Sequence, residues 1–184
     1  MLRAKGAFHM SLGRRPQELQ TDQNRALEAR FIIVMPQSHS HVILHIIFST
    51  KNREPWIDRE LRPRLHGYLA TIGRDNGSEV YRVGGVADHV HLVATLPRTV
   101  TQADLLEELK KHSSRWVKEV DEKYGGFAWQ RGYGAFSVGQ EELAGKIRYV
   151  EGQEEHHRTV TFQEEYRRIL KEHGVAFDER YVWD

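Results

Sequence analysis

There is no cysteine among the 184 residues of the chain. That absence removes disulfide frameworks, thiolate metal sites and cysteine nucleophiles together, and it suits a reducing cytoplasm. An excess of either charge is also missing. Lys and Arg number 27 against 26 Asp and Glu, a formal net charge of +1, so a polyanionic partner must be met by local patches and not by an overall field. Long apolar runs are absent too: FIIVM at Phe31 to Met35 falls far short of the roughly 20 residues of a membrane-spanning helix. The basic N-terminus carries no apolar signal-peptide core. The expectation is a soluble, cytoplasmic protein without a membrane partner, long enough to bury one core unaided.

Against these absences stand eleven histidines. Two of them, His89 and His91, sit in VADHVHLVATL, where the period of a strand turns both to one face. Val90, Leu92, Ala94 and Leu96 form an apolar row on the other. The adjacent Asp88 is expected to face away from the histidines and to cap the turn.

The flanking elements alternate in type. HVILHIIFST (His41 to Thr50) reads as a buried strand. DRELRPRLHGYLATIGRDNG reads as a helix opened by Asp58 and closed by Gly77, with Leu61, Leu65, Leu69 and Ile72 on one stripe. SEVYRVGGVAD and HVHLVATL make a hairpin through Ala87 and Asp88. A helix capped by Thr101 and ended by Gly125 and Gly126 follows, with Leu105 and Leu109 inward and Lys110, Lys111, Arg115 and Lys118 outward. GYGAFSVG is a short strand, and two further helices run through QEELAGKIRYVEGQEEHH and, from a Thr161 cap, TFQEEYRRILKEHG. Strand, helix, strand, strand, helix, strand is the order of an α+β, ferredoxin-like antiparallel sheet with helices packed on one face. The last helices are expected to lie outside that sandwich. Residues 1–34, with one short helix from Pro16 to Arg30, read as an N-terminal extension or a start-site artefact, and residues 35–184 as the working domain.

Two imidazoles on one strand face can share a divalent ion, but such an ion wants a third ligand. In YVEGQEEHH, Tyr149 and Gln153 stand four apart on a helix and so share a face, with His156 and His157 one turn on. A tyrosine hydroxyl becomes a useful nucleophile only against an electrophile that is already polarised.

DHVHLVATL and, some sixty residues later, YVEGQ, framed by HIIFSTKNREPWI, WQRGYGAFSVG and DERYVWD, resemble the single-tyrosine HUH transposases of small insertion sequences, of the IS200-like type. The resemblance runs from about Pro36 to Asp184. It implies that a C-terminal helix carries Tyr149 as the catalytic nucleophile, and that His89, His91 and Gln153 bind Mg²⁺ or Mn²⁺. It further implies cleavage and rejoining of single-stranded DNA through a 5′-phosphotyrosine, with a hairpin recognised at each element end. The partner it implies is a second copy of the chain, the tyrosine acting in trans. Local cations and rings would hold the strand: Lys51, Arg53 and Arg131, then Lys110, Lys111 and Arg115, with Trp56 and Tyr133 as stacking candidates. Two competing readings are a domesticated relative acting on repeated palindromes, and a zinc hydrolase built on His89, His91 and His156 or His157.

Overall fold

The strand Ile43–Ser49 (β1) is buried at every position, so both of its faces must be covered, and the alternation of its side chains decides by what. The computed structural model describes residues 39–180 together with Val182 and Trp183. The expected extension and its helix, Pro16 to Arg30, lie outside the described residues.

β1 is followed by the helix Leu61–Asp75 (α1), the strands Val80–Gly85 (β2) and His89–Thr95 (β3), the helix Gln102–Val120 (α2) and the strand Gly134–Val138 (β4). Three helices close the chain: Leu143–Glu151 (α3), the single turn Gln153–His156 (α4) and Phe162–Glu172 (α5). The sheet has the order β2-β3-β1-β4 and all its pairs are antiparallel. This is the ferredoxin-like arrangement expected of the sequence.

On one face Leu44, Ile46 and Phe48 of β1 and Val90, Leu92 and Ala94 of β3 meet Leu61, Leu65, Leu69 and Ile72 of α1 and Leu105, Leu106, Leu109 and Val117 of α2. Thr101 caps α2 as expected, whereas α1 begins at Leu61 behind Glu60, later than expected, with Asp58 still holding the turn that leads into it. Asp58 Oδ1 accepts the backbone N–H groups of Glu60 and Leu61 at 3.0 and 2.8 Å, and the Thr101 hydroxyl accepts from Asp104 N at 3.1 Å.

The other face departs from expectation. The last helices do not lie outside the sandwich; α3 packs on β2 and β3, and α5 lays Phe162, Tyr166, Ile169 and Leu170 against Ile47 and Phe136. Helices therefore cover both faces of the sheet. The physical reason is in the sequence pattern: the stripe of α5 is apolar, and so are Ile43, Ile47, Phe136 and Val138 on the strands below, so each buries the other. Tyr149 lies on α3, with two helices after it, so the helix that carries it is not the C-terminal one. Gly84 makes the seat for α3 possible, because a Cβ there would stand 2.1 Å from the backbone oxygen of Val150.

Candidate metal and nucleophile site

His89 and His91 are fully buried on the second face of β3, and the register adds a third imidazole. His45 on β1 pairs with Val93, shares the face with His91, and stacks on it with ring centroids 5.1 Å apart. His45 Nε2 lies 2.9 Å from His91 Nδ1. The sequence reading missed His45, although one polar residue inside the otherwise apolar run ILHIIF was the available signal.

Asp88 corrects a second expectation. It belongs to the turn between β2 and β3, outside the strand, so strand alternation does not govern its side chain. Its Oδ1 reaches back to His89 Nδ1 at 2.7 Å. Burial pushes the Asp88 carboxyl up, but the His89 hydrogen bond and the Arg53 charge outweigh it and leave it lowered.

Above the histidines, α5 contributes Glu165. The capping box of Thr161 and Glu164 sets the first turn of this helix, and Glu165 follows at once, inside the apolar stripe and with a side chain wholly out of solvent. A carboxylate in such a stripe is costly unless paired, and its position among Phe162, Tyr166 and Ile169 was the signal that would have found it. Its Oε1 accepts hydrogen bonds from the Tyr149 hydroxyl and from Gln153 Nε2, the latter at 3.0 Å. Its Oε2 lies 3.4 Å from His91 Nε2, 3.2 Å from His157 Nε2 and 3.9 Å from His89 Nε2. His157 is in turn anchored by Nδ1 on the Val160 carbonyl at 2.8 Å.

His89, His91, His157 and Glu165 thus form a group whose ligand atoms all lie within 4.8 Å of one another. Burial lowers His91 to about 4 against the opposing pull of Glu165, so near neutral pH it is an uncharged imidazole with a lone pair to offer. For Tyr149, burial and the facing Glu165 carboxylate push the phenol well above its ordinary value. It is held protonated. Arg168 Nη2 comes within 3.4 Å of its hydroxyl, and a cavity of about 510 Å³ opens beside it between Lys146, Arg168 and His173.

Gln153 is buried, but it does not share one unbroken helix with Tyr149. Gly152 separates α3 from α4. The two side chains still converge, on Glu165, and Gln153 Oε1 is left without a hydrogen-bond partner.

The expected DNA-binding residues divide into groups. Arg53 lines a cavity of about 360 Å³ that also contains Asp88, His89 and His157. Lys51 is exposed next to the segment carrying Arg131, since Lys51 N donates to the Ala128 carbonyl at 2.8 Å and Thr50 bridges to Trp129. Lys110 is engaged: its Nζ donates to the carbonyls of Gln130, Arg131 and Gly132 at 3.0, 3.1 and 2.7 Å. Burial lowers it to about 8. Lys111 stands 3.7 Å from Glu108, and Arg115 is exposed on α2. Trp56 packs against the main core and over Gly126, whereas Tyr133 is exposed.

A family model described as "Transposase IS200 like" matches residues 38–153. The ISDra2 transposase TnpA of Deinococcus radiodurans is 29% identical over 114 residues, covering 59% of this chain and 81% of that protein. Two solved structures share the fold. One is a candidate transposase from Deinococcus radiodurans R1, 24% identical, with a TM-score of 0.51 over 65% of this chain and 98% of that one. The other is a REP-associated tyrosine transposase bound to a REP hairpin, 16% identical, with a TM-score of 0.50 over 78% of this chain and 93% of that one. Among the described residues, no helix is long and apolar enough to cross a membrane.

Proposed function

Because the chain belongs to the IS200-like transposase family, we propose that it cleaves and rejoins single-stranded DNA at the ends of an insertion sequence, with Tyr149 as nucleophile. The observation that carries this reading is the convergence of Tyr149 and Gln153 from the helices with His89 and His91 from the strand on one buried face.

His89, His91 and the orphaned Oε1 of Gln153 offer two imidazole nitrogens and one amide oxygen, a donor set that suits Mn²⁺ and accepts Mg²⁺. When bound, such an ion supplies charge to a non-bridging oxygen of the scissile phosphate. The chain does the rest. Tyr149 Oη attacks phosphorus in line, its proton passing to Glu165 Oε1, which already accepts its hydrogen bond. The P–O bond to the 3′ oxygen breaks, that oxygen takes a proton from water and leaves as a 3′-hydroxyl, and a 5′-phosphotyrosine remains. One phosphoester replaces another, so rejoining needs no nucleotide cofactor. Lys51, Arg53 and Arg131 hold the strand and the hairpin foot. Lys111 and Arg115 add to the positive surface, and Lys110 holds the Arg131 loop in shape through its three carbonyl contacts.

The proposal includes a homodimer in which Tyr149 serves the histidines of a second copy. Within one chain the Tyr149 and His91 rings already stand 6.0 Å apart, so mixing decides the matter. Subunits carrying Tyr149→Phe, mixed with subunits carrying His89→Ala and His91→Ala, should recover cleavage if the tyrosine acts in trans and none if it acts on its own chain. The reading as a whole is tested by incubating the protein with labelled, hairpin-bearing strands from the flanks of its gene and Mn²⁺ or Mg²⁺. A covalent adduct on a denaturing gel that disappears in Tyr149→Phe supports it. An adduct that persists in that variant refutes it.

A further inference from the structure

We infer that His157 and Glu165 join His89 and His91 as ligands of one ion, in a centre of three imidazole nitrogens and one carboxylate oxygen that takes Zn²⁺ or a similar transition cation in preference to Mg²⁺. The inference rests on the proposed reading for His89 and His91 and goes beyond it for the other two, both of which lie past the segment matched by the family model.

The first support is an accounting of polar atoms. Nε2 of His89, His91 and His157 and Oε2 of Glu165 are all buried, and none makes a well-formed hydrogen bond; their sole neighbours of opposite character are one another, with Oε2 3.2 Å from His157 Nε2 and 3.4 Å from His91 Nε2. Buried polar atoms are rarely left so. Four such atoms within 4.8 Å of one another call for a shared occupant that accepts lone pairs, and a cation is the one occupant that all four would welcome.

The second support is orientation. Each of the four groups is fixed from its far side, which leaves the near atom aimed inward. Asp88 Oδ1 holds His89 Nδ1 at 2.7 Å, His45 Nε2 holds His91 Nδ1 at 2.9 Å, and the Val160 carbonyl holds His157 Nδ1 at 2.8 Å. Tyr149 and Gln153 hold Glu165 by Oε1. Carboxylates and carbonyls on the remote nitrogen are the usual means by which a protein fixes the tautomer and tilt of a ligating histidine. His156 does not qualify: its Nε2 lies nearest Oε1, at 3.6 Å, and its side chain is 21% exposed.

The third support is size. An ion about 2.1 Å from four tetrahedral ligand atoms sets those atoms about 3.4 Å from one another. From Oε2 the three nitrogens stand at 3.2, 3.4 and 3.9 Å, close to that edge before any ion draws them in. Three imidazoles and one carboxylate are a donor set for Zn²⁺, Co²⁺ or Mn²⁺, whereas Mg²⁺ prefers six oxygens. A divalent charge also compensates the carboxylate that α5 carries into an apolar stripe. With four protein ligands the centre is closed, as structural zinc sites are. Four protein ligands would leave no place for a phosphate oxygen, so this occupancy would be a resting form of the site.

The test uses the full chain stripped of metal, without DNA, so that its outcome is separate from cleavage. Calorimetric titration should show one Zn²⁺ bound per chain. Glu165→Gln and His157→Gln, each confirmed folded by circular dichroism, should each weaken Zn²⁺ by at least about tenfold. Co²⁺ bound to the unaltered protein should give the intense visible absorption of four-coordinate cobalt, which requires no variant at all. Weak, six-coordinate cobalt bands, or unchanged Zn²⁺ affinity in both variants, would overturn the inference. If His89→Ala alone loses the ion, the inference falls and the proposed metal site stands. If His89→Ala also binds as before, both fall.

Discussion

The two faces of one sheet have been put to different uses. On the α1 and α2 face, Leu44, Ile46, Phe48, Val90, Leu92 and Ala94 belong to the largest apolar cluster of the described residues. On the α3 to α5 face, the alternate residues of the same strands include His45, His89 and His91, with Glu165 above them, and most of the orphaned polar atoms gather there. A strand gives its odd and even residues to opposite sides, so one backbone can be anchored firmly by one face while the other holds groups that would be unstable without such support. Stability and chemistry are separated by a single residue step. Substitutions one position apart in β3 should therefore fail in different ways.

The largest effect is expected on the histidine face. His89→Ala with His91→Ala removes both imidazoles from the proposed metal, a loss of several kcal/mol of transition-state stabilisation and on the order of a thousandfold or more in cleavage. Thermal stability should fall too, because Glu165 and Asp88 lose buried partners, while hairpin binding should hardly move. Cleavage at the normal rate by the double variant would erase the distinction between the faces. Leu92→Ala, on the opposite side of the same strand, should lower stability by about 2–5 kcal/mol, read from denaturant unfolding. Below its melting temperature it should still cleave.

Gly84→Ala tests the seam between strand and helix. The new methyl would meet the Val150 backbone, and relieving that contact should cost about 1–3 kcal/mol while lifting Tyr149 from the site, so cleavage should fall more than stability does. The smallest change is at Asp58, far from the chemistry. Asp58→Ala removes the acceptor for two backbone N–H groups at the start of α1 and should cost about 1 kcal/mol. The Leu61 hydrogen bond, with one from the Tyr124 hydroxyl and the neighbouring Lys123 ammonium, lowers the Asp58 carboxyl to about 2. A lowered carboxyl favours the fold above its unfolded value and loses that contribution as pH falls toward about 2. The difference between the natural chain and Asp58→Ala should thus narrow over that acid range.

What could be read from the sequence follows the same division. The α1 and α2 face was legible because periods of two and 3.6 residues determine which apolar residues meet, and Leu61, Leu65, Leu69 and Leu105 lie where those periods put them. The pairing of His89 with His91 on one face was legible for the same reason. Glu165 and His45 were not, because each depends on contacts between segments distant in the chain, and the inward turn of Asp88 was not, because the residue lies in the turn, where strand alternation does not govern it. Glu165 reaches the histidines only once α5 has folded over the sheet, and His45 only once β1 pairs with β3. The position of the last helices was not legible because the apolar partners of their stripe, Ile47 and Phe136, come together only in the folded sheet. Gln153 shows the middle case: spacing put it beside Tyr149, and the break at Gly152 kept it there by another route.

The most direct test of the account is to identify the amino acid that becomes linked to DNA. The protein is allowed to react with a hairpin-bearing single strand in Mn²⁺, digested with protease and nuclease, and the modified peptide sequenced by mass spectrometry. The account predicts one nucleotide 5′-phosphate on Tyr149, with a free 3′-hydroxyl on the released strand. A nucleotide on Tyr133, Tyr166 or any other residue, or cleavage that leaves no protein-linked product, would contradict it.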